Sequence, residues 1–444
     1  MKGVDENAMN VPVTKTIGAD SLLAPINEPT AQERLKHLSG CFERFSLGEA
    51  PLPKPTSFVN NHIHTTYSFS PYSPSDAVYR SWLNGLATTG IMDHDSVSGA
   101  LEFIEAGKLL GIATTVGFEC RCRMTDTPFS NRTLNNPDQS GVAYVACHGI
   151  PHQFINEADN WLKPYRQKRL LRNRRMTQRL NDLVSDPALM LDFEKDILPL
   201  SQAEEGGSVT ERHILFALAC KIIEAYGRGE ALLQLLNERF GIYASGKVRE
   251  SLLNKSDPYY AYRVLGLLKS SLVEKFYIDA DEECPHIRDF VAFAKSIGAI
   301  PAYAYLGDVG ESVTGDKKTQ SFEDVFLDEL IPWLKETGFT SVTYMPTRNS
   351  LQQLLRLMQL CDLYDLFQIS GEDINTPFQP FVCEQLMRSE FSHLVTSAWA
   401  LIGHEKAATA NLSRGMFSGN TVITYPTLKE RISHFAAIGK DVKG

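Results

Sequence analysis

Four short apolar runs near the start of this chain each end in residue types that hold metal ions. The run 57–64 closes on His62 and His64, 90–94 on Asp93 and His94, 114–119 on Glu119, and 142–148 on His148. Alternate residues of a β-strand share a face, so His62 and His64 project together, roughly 6–7 Å apart along the strand. One divalent cation bridges such a gap. Strand 57–64 is followed by helix 75–87, which opens on the capping sequence Ser73-Pro74-Ser75-Asp76. Strand 90–93 is followed by helix 96–110, and strands 112–122 and 142–148 come next. This alternation predicts a parallel α/β sheet or barrel. In such folds ligands bind at the carboxyl ends of the strands, where all of these residues fall.

The pattern breaks over 153–285, which reads as a helical insertion with helices at 161–184, 210–226, 230–240 and 258–275. A capping box, Ser208-Val209-Thr210-Glu211, precedes the second of these. Alternation then resumes. Helix 286–297 leads to strand 299–305, helix 322–337 to strand 340–345, and helix 349–362 to strand 367–371. The expected units are an extension 1–56 with one helix at 30–41, a barrel 57–390 carrying the insertion, and a helical extension 391–444 with a turn near Gly415 to Gly419.

Composition narrows the function classes. The net charge of −9 argues against a nucleic-acid-tracking surface. Helix 161–184 is basic, but its charges fall all round it. It reads as a solvated cap, or as a partner for the acidic segment 192–205. No run approaches the roughly 18 apolar residues of a membrane span, and the start lacks the pattern of a secretory signal. The eight cysteines are scattered through apolar segments, as expected of reduced thiols in the cytoplasm. Cys120 and Cys122 lie on the strand face opposite Glu119 and read as core thiols.

The ordered motifs resemble the PHP (polymerase and histidinol phosphatase) superfamily of metal-dependent phosphoesterases. Asn61-His62-Ile63-His64-Thr65-Thr66-Tyr67-Ser68 is similar to its first motif. Gly90-Ile91-Met92-Asp93-His94-Asp95 is similar to the second, Gly117-Phe118-Glu119 to the third, and Cys147-His148-Gly149 to the next histidine. Arg212-His213-Ile214-Leu215 resembles an Arg-x-His helix start, and Gly371-Glu372-Asp373-Ile374-Asn375 the terminal motif. The resemblance implies a distorted (β/α)7 barrel with an inserted helical subdomain and helical terminal extensions. Two positions depart from it. Tyr305, in Ala304-Tyr305-Leu306-Gly307, and Asn375 stand where the family has histidines. Asp308 and Glu372 are carboxylates that could replace a lost ligand.

By carry-over, His62, His64, Glu119 and Asp373 build one metal position, and Glu119 bridges to a second completed by His94 and His148. Asn375 is a weaker oxygen donor. Asp93 binds metal or orients a ligand histidine. One or two divalent ions, Mn, Zn or Fe, suit these N and O donors. The implied activity is hydrolysis of a small-molecule phosphomonoester, a nucleotide or sugar phosphate, by a metal-activated hydroxide. Arg212, His213, Arg348 and Tyr305 are further catalytic candidates, the arginines as grips for an anionic substrate. Two other readings stay open. One is a barrel metalloenzyme acting on a C–N or C–C bond or isomerising a sugar. The other is a binding protein without catalysis.

Overall fold

Seven strands pair in chain order, and the ends of the sheet meet to make a barrel. The computed structural model describes residues 22, 24–184, 186–308 and 323–441. The strands are β1 (Val59–Ile63), β2 (Thr88–His94), β3 (Ala113–Arg123), β4 (Val142–His148), β5 (Ile300–Ala304), β6 (Ser341–Tyr344) and β7 (Phe367–Ser370). Closure comes from a bridge between Ile63 and Ile374. The His64 amide donates to the Ile374 carbonyl (2.9 Å), and the Ile374 amide to that of His62 (3.1 Å). The segment carrying Asp373 is thereby held against the one carrying both histidines.

Helix α1 (Ala31–Ser46) precedes the barrel, and α2 (Pro74–Leu83) and α3 (Ala100–Leu110) follow β1 and β2. The insertion holds α4 (Ile155–Val184), α5 (Glu211–Tyr226), α6 (Glu230–Phe240), α7 (Gly246–Leu253) and α8 (Tyr260–Phe276). Then α9 (Ile287–Ser296), α10 (Leu327–Thr337) and α11 (Leu351–Leu363) alternate with the last strands, and α12 (Ser392–Ala410), α13 (Gly419–Thr424) and α14 (Leu428–Lys440) end the chain. None among the described residues is long and apolar enough to cross a membrane.

The expected parallel sheet is corrected at one strand. β1–β3 run parallel, as do β5–β7, but β4 runs antiparallel to both its neighbours. The reason lies in 124–141, which contains no helix. A parallel neighbour needs a crossover, usually a helix, whereas a chain that simply turns back pairs antiparallel.

Below the site, Met92, Ala146 and Ala302 form an inward-facing cluster of their own, and Ile300, Phe367 and Ile369 pack with α12. Large apolar residues fill the layer between strands and helices, among them Val116, Phe118, Phe290 and Val342. The insertion has a separate core of Leu215, Leu218, Leu236, Leu265 and Leu268, with Phe69 reaching into it from the barrel. Helix α12 is buried on most of its circumference. Its Glu405 accepts from the Thr115 hydroxyl (2.7 Å) and the Val116 amide (2.8 Å) on β3.

The N-terminal helix is longer than the expected 30–41. A capping box of Thr30 and Glu33 starts α1, and a buried Arg34–Glu102 ion pair at 2.7 Å docks it on α3. Residues 1–21 and 23 of the expected extension, residue 322 of the expected helix 322–337, and residues 442–444 lie outside the described residues.

Candidate metal centre

His62 and His64 flank Ile63 at the end of β1, just past a register irregularity between Asn60 and Ile63, and the ring centroids of the two histidines lie 5.1 Å apart. The rings of His64 and His94 are 4.7 Å apart. His94 pairs in register with Glu119 on β3, and the Glu119 carboxylate lies among all three rings. Its oxygens are 3.6 Å from His62 Nε2, 3.3 Å from His64 Nε2 and 2.9 Å from His94 Nδ1. Asp373 approaches His64 Nε2 from the other side at 3.1 Å. Gly371 makes that approach possible, because a Cβ there would lie 2.5 Å from the Cβ of His62.

Two candidate ligand sets result among the described residues: His62, His64 and Asp373; and His64, His94 and Glu119. Within each, the ligand atoms lie within 4.8 Å of one another. The three histidine nitrogens are buried and close to carboxylates, yet none is aimed to make a hydrogen bond. Lone pairs that converge on a common point behave this way, and mixed imidazole and carboxylate donors suit Mn, Zn or Fe. The residues fit a divalent cation.

The surroundings set the charge and tautomer of His64. Asp93, fully buried, accepts from the Thr65 amide, the Thr65 hydroxyl and the Ser68 hydroxyl, all at 2.6 Å. Ser68 spends its only proton on Asp93, so its oxygen accepts from His64 Nδ1 at 3.2 Å. Nε2 is left facing Glu119 and Asp373. Burial disfavours charge on His64, but Asp373 and Glu119 outweigh it and raise its pKa to about 10. Burial opposes ionisation of Glu119 as well, and His94 and His62 nevertheless hold its carboxyl well below the usual range. Asp93 is thus linked through Ser68 to His64, a member of both candidate sets, and is itself in neither among the described residues.

Other expected residues stand elsewhere. With β4 antiparallel, His148 pairs with Gly117 and Ile300. It shares the inner face with Ala146 and Glu119 but lies two residues deeper, outside both ligand sets. Burial, then His62, lowers its pKa to about 3, so it is neutral at ordinary pH. Asn375 is corrected as an oxygen ligand. Its Oδ1 accepts from Arg212 at 2.9 Å and its NH2 donates to Asp373 at 2.6 Å. Arginine only donates, which fixes the amide orientation.

Tyr305 is corrected as well. Register puts Ala302 on the inner face with Ala146, so Ala304 points in and Tyr305 points out. Its hydroxyl donates to Asp324 at 2.5 Å, and burial with that carboxylate raises its pKa far from phenolate formation. Arg348 Nε donates to the Leu306 carbonyl at 3.1 Å, holding the loop after β5 at the rim. Asp308 and Glu372 join neither ligand set among the described residues.

His213 is a helix cap. Thr210, rather than Ser208, is the N-cap of α5, and the His213 ring takes the place of a Glu or Gln by accepting from the Thr210 amide at 3.0 Å. Burial, then Arg169, lowers its pKa to about 3. Its contribution to stability is complete above the unfolded value near 6.5. As pH falls toward 3 the unfolded chain takes up a proton that the folded state refuses, and stability is lost. A His213→Gln variant retains the cap acceptor, so its denaturant midpoint is expected to fall less between pH 6.5 and 4 than that of the parent. Parallel midpoint curves would contradict this.

The basic helix α4 is solvated along much of its length, with Lys163, Lys168, Arg175 and Arg179 exposed, but it turns Arg169 and Arg172 inward, which the reading as a cap does not anticipate. Arg169 pairs with Asp95 and lies 3.5 Å from Glu211, and Arg172 Nε donates to Glu283 at 2.6 Å. Arg174 does pair with Glu194 in the acidic segment. Sequence reasoning missed Ser68, Asp95, Arg169 and the inward-facing Tyr144. Only the alternation Tyr144, Ala146, His148 was available to find the last.

The chain belongs to the PHP domain family, whose model matches residues 60–281. Among solved structures it is similar to a protein of Bifidobacterium adolescentis provisionally named a metal-dependent phosphoesterase. The identity is 19% and the TM-score 0.50, covering 78% of this chain and 98% of that one. An amidohydrolase from Chromobacterium violaceum, solved with bound sulfate and no metal, is 16% identical with a TM-score of 0.47, covering 76% and 96%. Likenesses at these identities concern the fold. No curated protein matches the chain. Asp373 lies beyond the matched residues, so its place in the site rests on geometry alone.

Proposed function

We propose that this protein is a metal-dependent hydrolase that releases phosphate from a small phosphorylated molecule, a nucleotide or sugar phosphate, in the cytoplasm. The observation that carries the reading is Glu119, buried within 3.6 Å of three histidine nitrogens from two strands. Family membership supports metal-dependent hydrolysis. A phosphate substrate is supported by the start of α5, which brings Arg212 to the Asp373 side of the site. A small substrate is favoured over nucleic acid because the net charge is −9 and the two buried arginines of α4, Arg169 and Arg172, are paired with Asp95 and Glu283. All eight cysteines are free thiols, in keeping with a reducing compartment.

His62, His64 and Asp373, and His64, His94 and Glu119, would hold one or two Mn, Zn or Fe ions. Such ions, when bound, supply the positive charge that makes water nucleophilic and offsets the charge of phosphoryl oxygens. The protein's own groups keep the donors in place. Asp93 and Ser68 hold the His64 Nδ1 proton, and Arg212 and Asn375 hold Asp373.

The test is a phosphate-release screen on nucleotide and sugar monophosphates with Mn- or Zn-loaded protein. Chelation is expected to lower turnover at least about 100-fold, and added metal to restore it. Less than one equivalent of metal after loading would favour a binding protein. Full loading without phosphate release would favour chemistry on another bond.

A further inference from the structure

Above the ligand layer, β3 and β4 place one more polar group on the inner face. Tyr144 pairs directly with Arg121, and both lie one inward position beyond the Glu119–Ala146 pair, toward the insertion. The Tyr144 ring centroid is 6.0 Å from that of His94. Asn135 brackets its backbone, accepting from the amide at 2.7 Å and donating to the carbonyl at 2.8 Å. The side chain is half-buried. Among the described residues its hydroxyl has no hydrogen-bond partner, although Arg121, Glu211, Tyr277 and Arg169 all act on it electrostatically.

Arg121 is otherwise the obvious anion grip at this level, but it is committed. It donates to the Tyr277 hydroxyl at 2.9 Å and pairs with Glu283. The cluster around it contains Arg121, Arg169 and Arg172 against Asp95, Glu211 and Glu283, three charges of each sign. It therefore offers no net charge to a phosphate. What remains beside His94 is a rigidly mounted phenol with an unused donor.

We propose that Tyr144 is a substrate-contacting residue whose hydroxyl donates a hydrogen bond to a phosphoryl oxygen lying on the His94 side of the site. This rests on the phosphoesterase reading above. Burial opposes ionisation of the phenol and keeps its proton in place, so the group acts as a donor across the working pH range.

Tyr144→Phe removes the hydroxyl and keeps the ring. The measurements are calorimetric titration of inorganic phosphate into metal-loaded wild type and variant, metal content, and kcat and KM for whichever monophosphate the wild type hydrolyses. A hydrogen bond to a charged oxygen is worth about 10- to 150-fold. Phosphate affinity and kcat/KM are both expected to fall by about that much, with metal content unchanged. Equal phosphate affinity and kcat/KM in the two proteins would overturn the proposal, as would a variant that loses its metal, since the hydroxyl would then be structural. Wild type that binds metal but neither binds phosphate nor hydrolyses any monophosphate overturns the phosphoesterase reading itself.

Discussion

Glu119→Gln is expected to leave a folded protein that no longer retains a full metal complement and releases phosphate at least about 100-fold more slowly. The bound follows from the lesser case: partners that only orient a ligand are worth about 10- to 100-fold in metal affinity or activity, and among the described residues Glu119 is the side chain that approaches all three histidines. Glutamine has nearly the same volume, so packing around β3 is preserved. It lacks the negative charge, however, and its NH2 would be turned toward nitrogens that must themselves present lone pairs to a cation. Metal analysis after loading and dialysis, beside phosphate-release kinetics, decides the matter. A variant with wild-type metal content and turnover would remove Glu119 from the centre of the site.

Much of that centre was legible because strand parity is a local property. His62 and His64 needed only a strand, and Asp93, His94 and Glu119 only the ends of two more. Partners brought together by tertiary packing were not legible. Asn375 is bonded to Arg212 across 163 positions, and nothing near either residue signals the other. Strand direction was partly legible: residues 124–141 carry turn-forming sequence without helical periodicity, which favours a chain that doubles back. Tyr305 shows how a motif match fails when parity is ignored. In Pro301-Ala302-Tyr303-Ala304-Tyr305 the small residues alternate with the large, and the register with Ala146 puts the small ones on the inner face. His213 shows a different limit, since a ring nitrogen occupies a capping position where Glu or Gln is the usual signal.

Arg169→Met is expected to damage both the fold and one part of the metal centre. Asp95, the residue after His94, has a left-handed backbone (φ 52°) that a non-glycine residue adopts only when held there. Three contacts hold it, and a fourth anchors one of its partners. Its amide donates to the Glu119 carbonyl at 2.8 Å, its carbonyl accepts from Arg166 at 3.0 Å, its side chain pairs with Arg169, and Arg169 in turn lies 3.5 Å from Glu211. Arg169 is 4% exposed, so methionine fits the space but leaves two carboxylates without their cation. Breaking a buried pair in this way costs about 3–5 kcal/mol, read as a lower denaturant midpoint. The released loop begins at His94, whereas His62, His64 and Asp373 are held by the β1–Ile374 bridge on the other side of the site. Metal titration of the variant is therefore expected to show selective weakening of the His94–Glu119 set, with at least one ion still bound. Adding Asp95→Asn removes one stranded charge and is expected to recover part of the stability but not the weakened ion, because the clamp on His94 stays broken. Equal weakening of both ligand sets would mean that the insertion supports the barrel as a whole rather than His94 in particular.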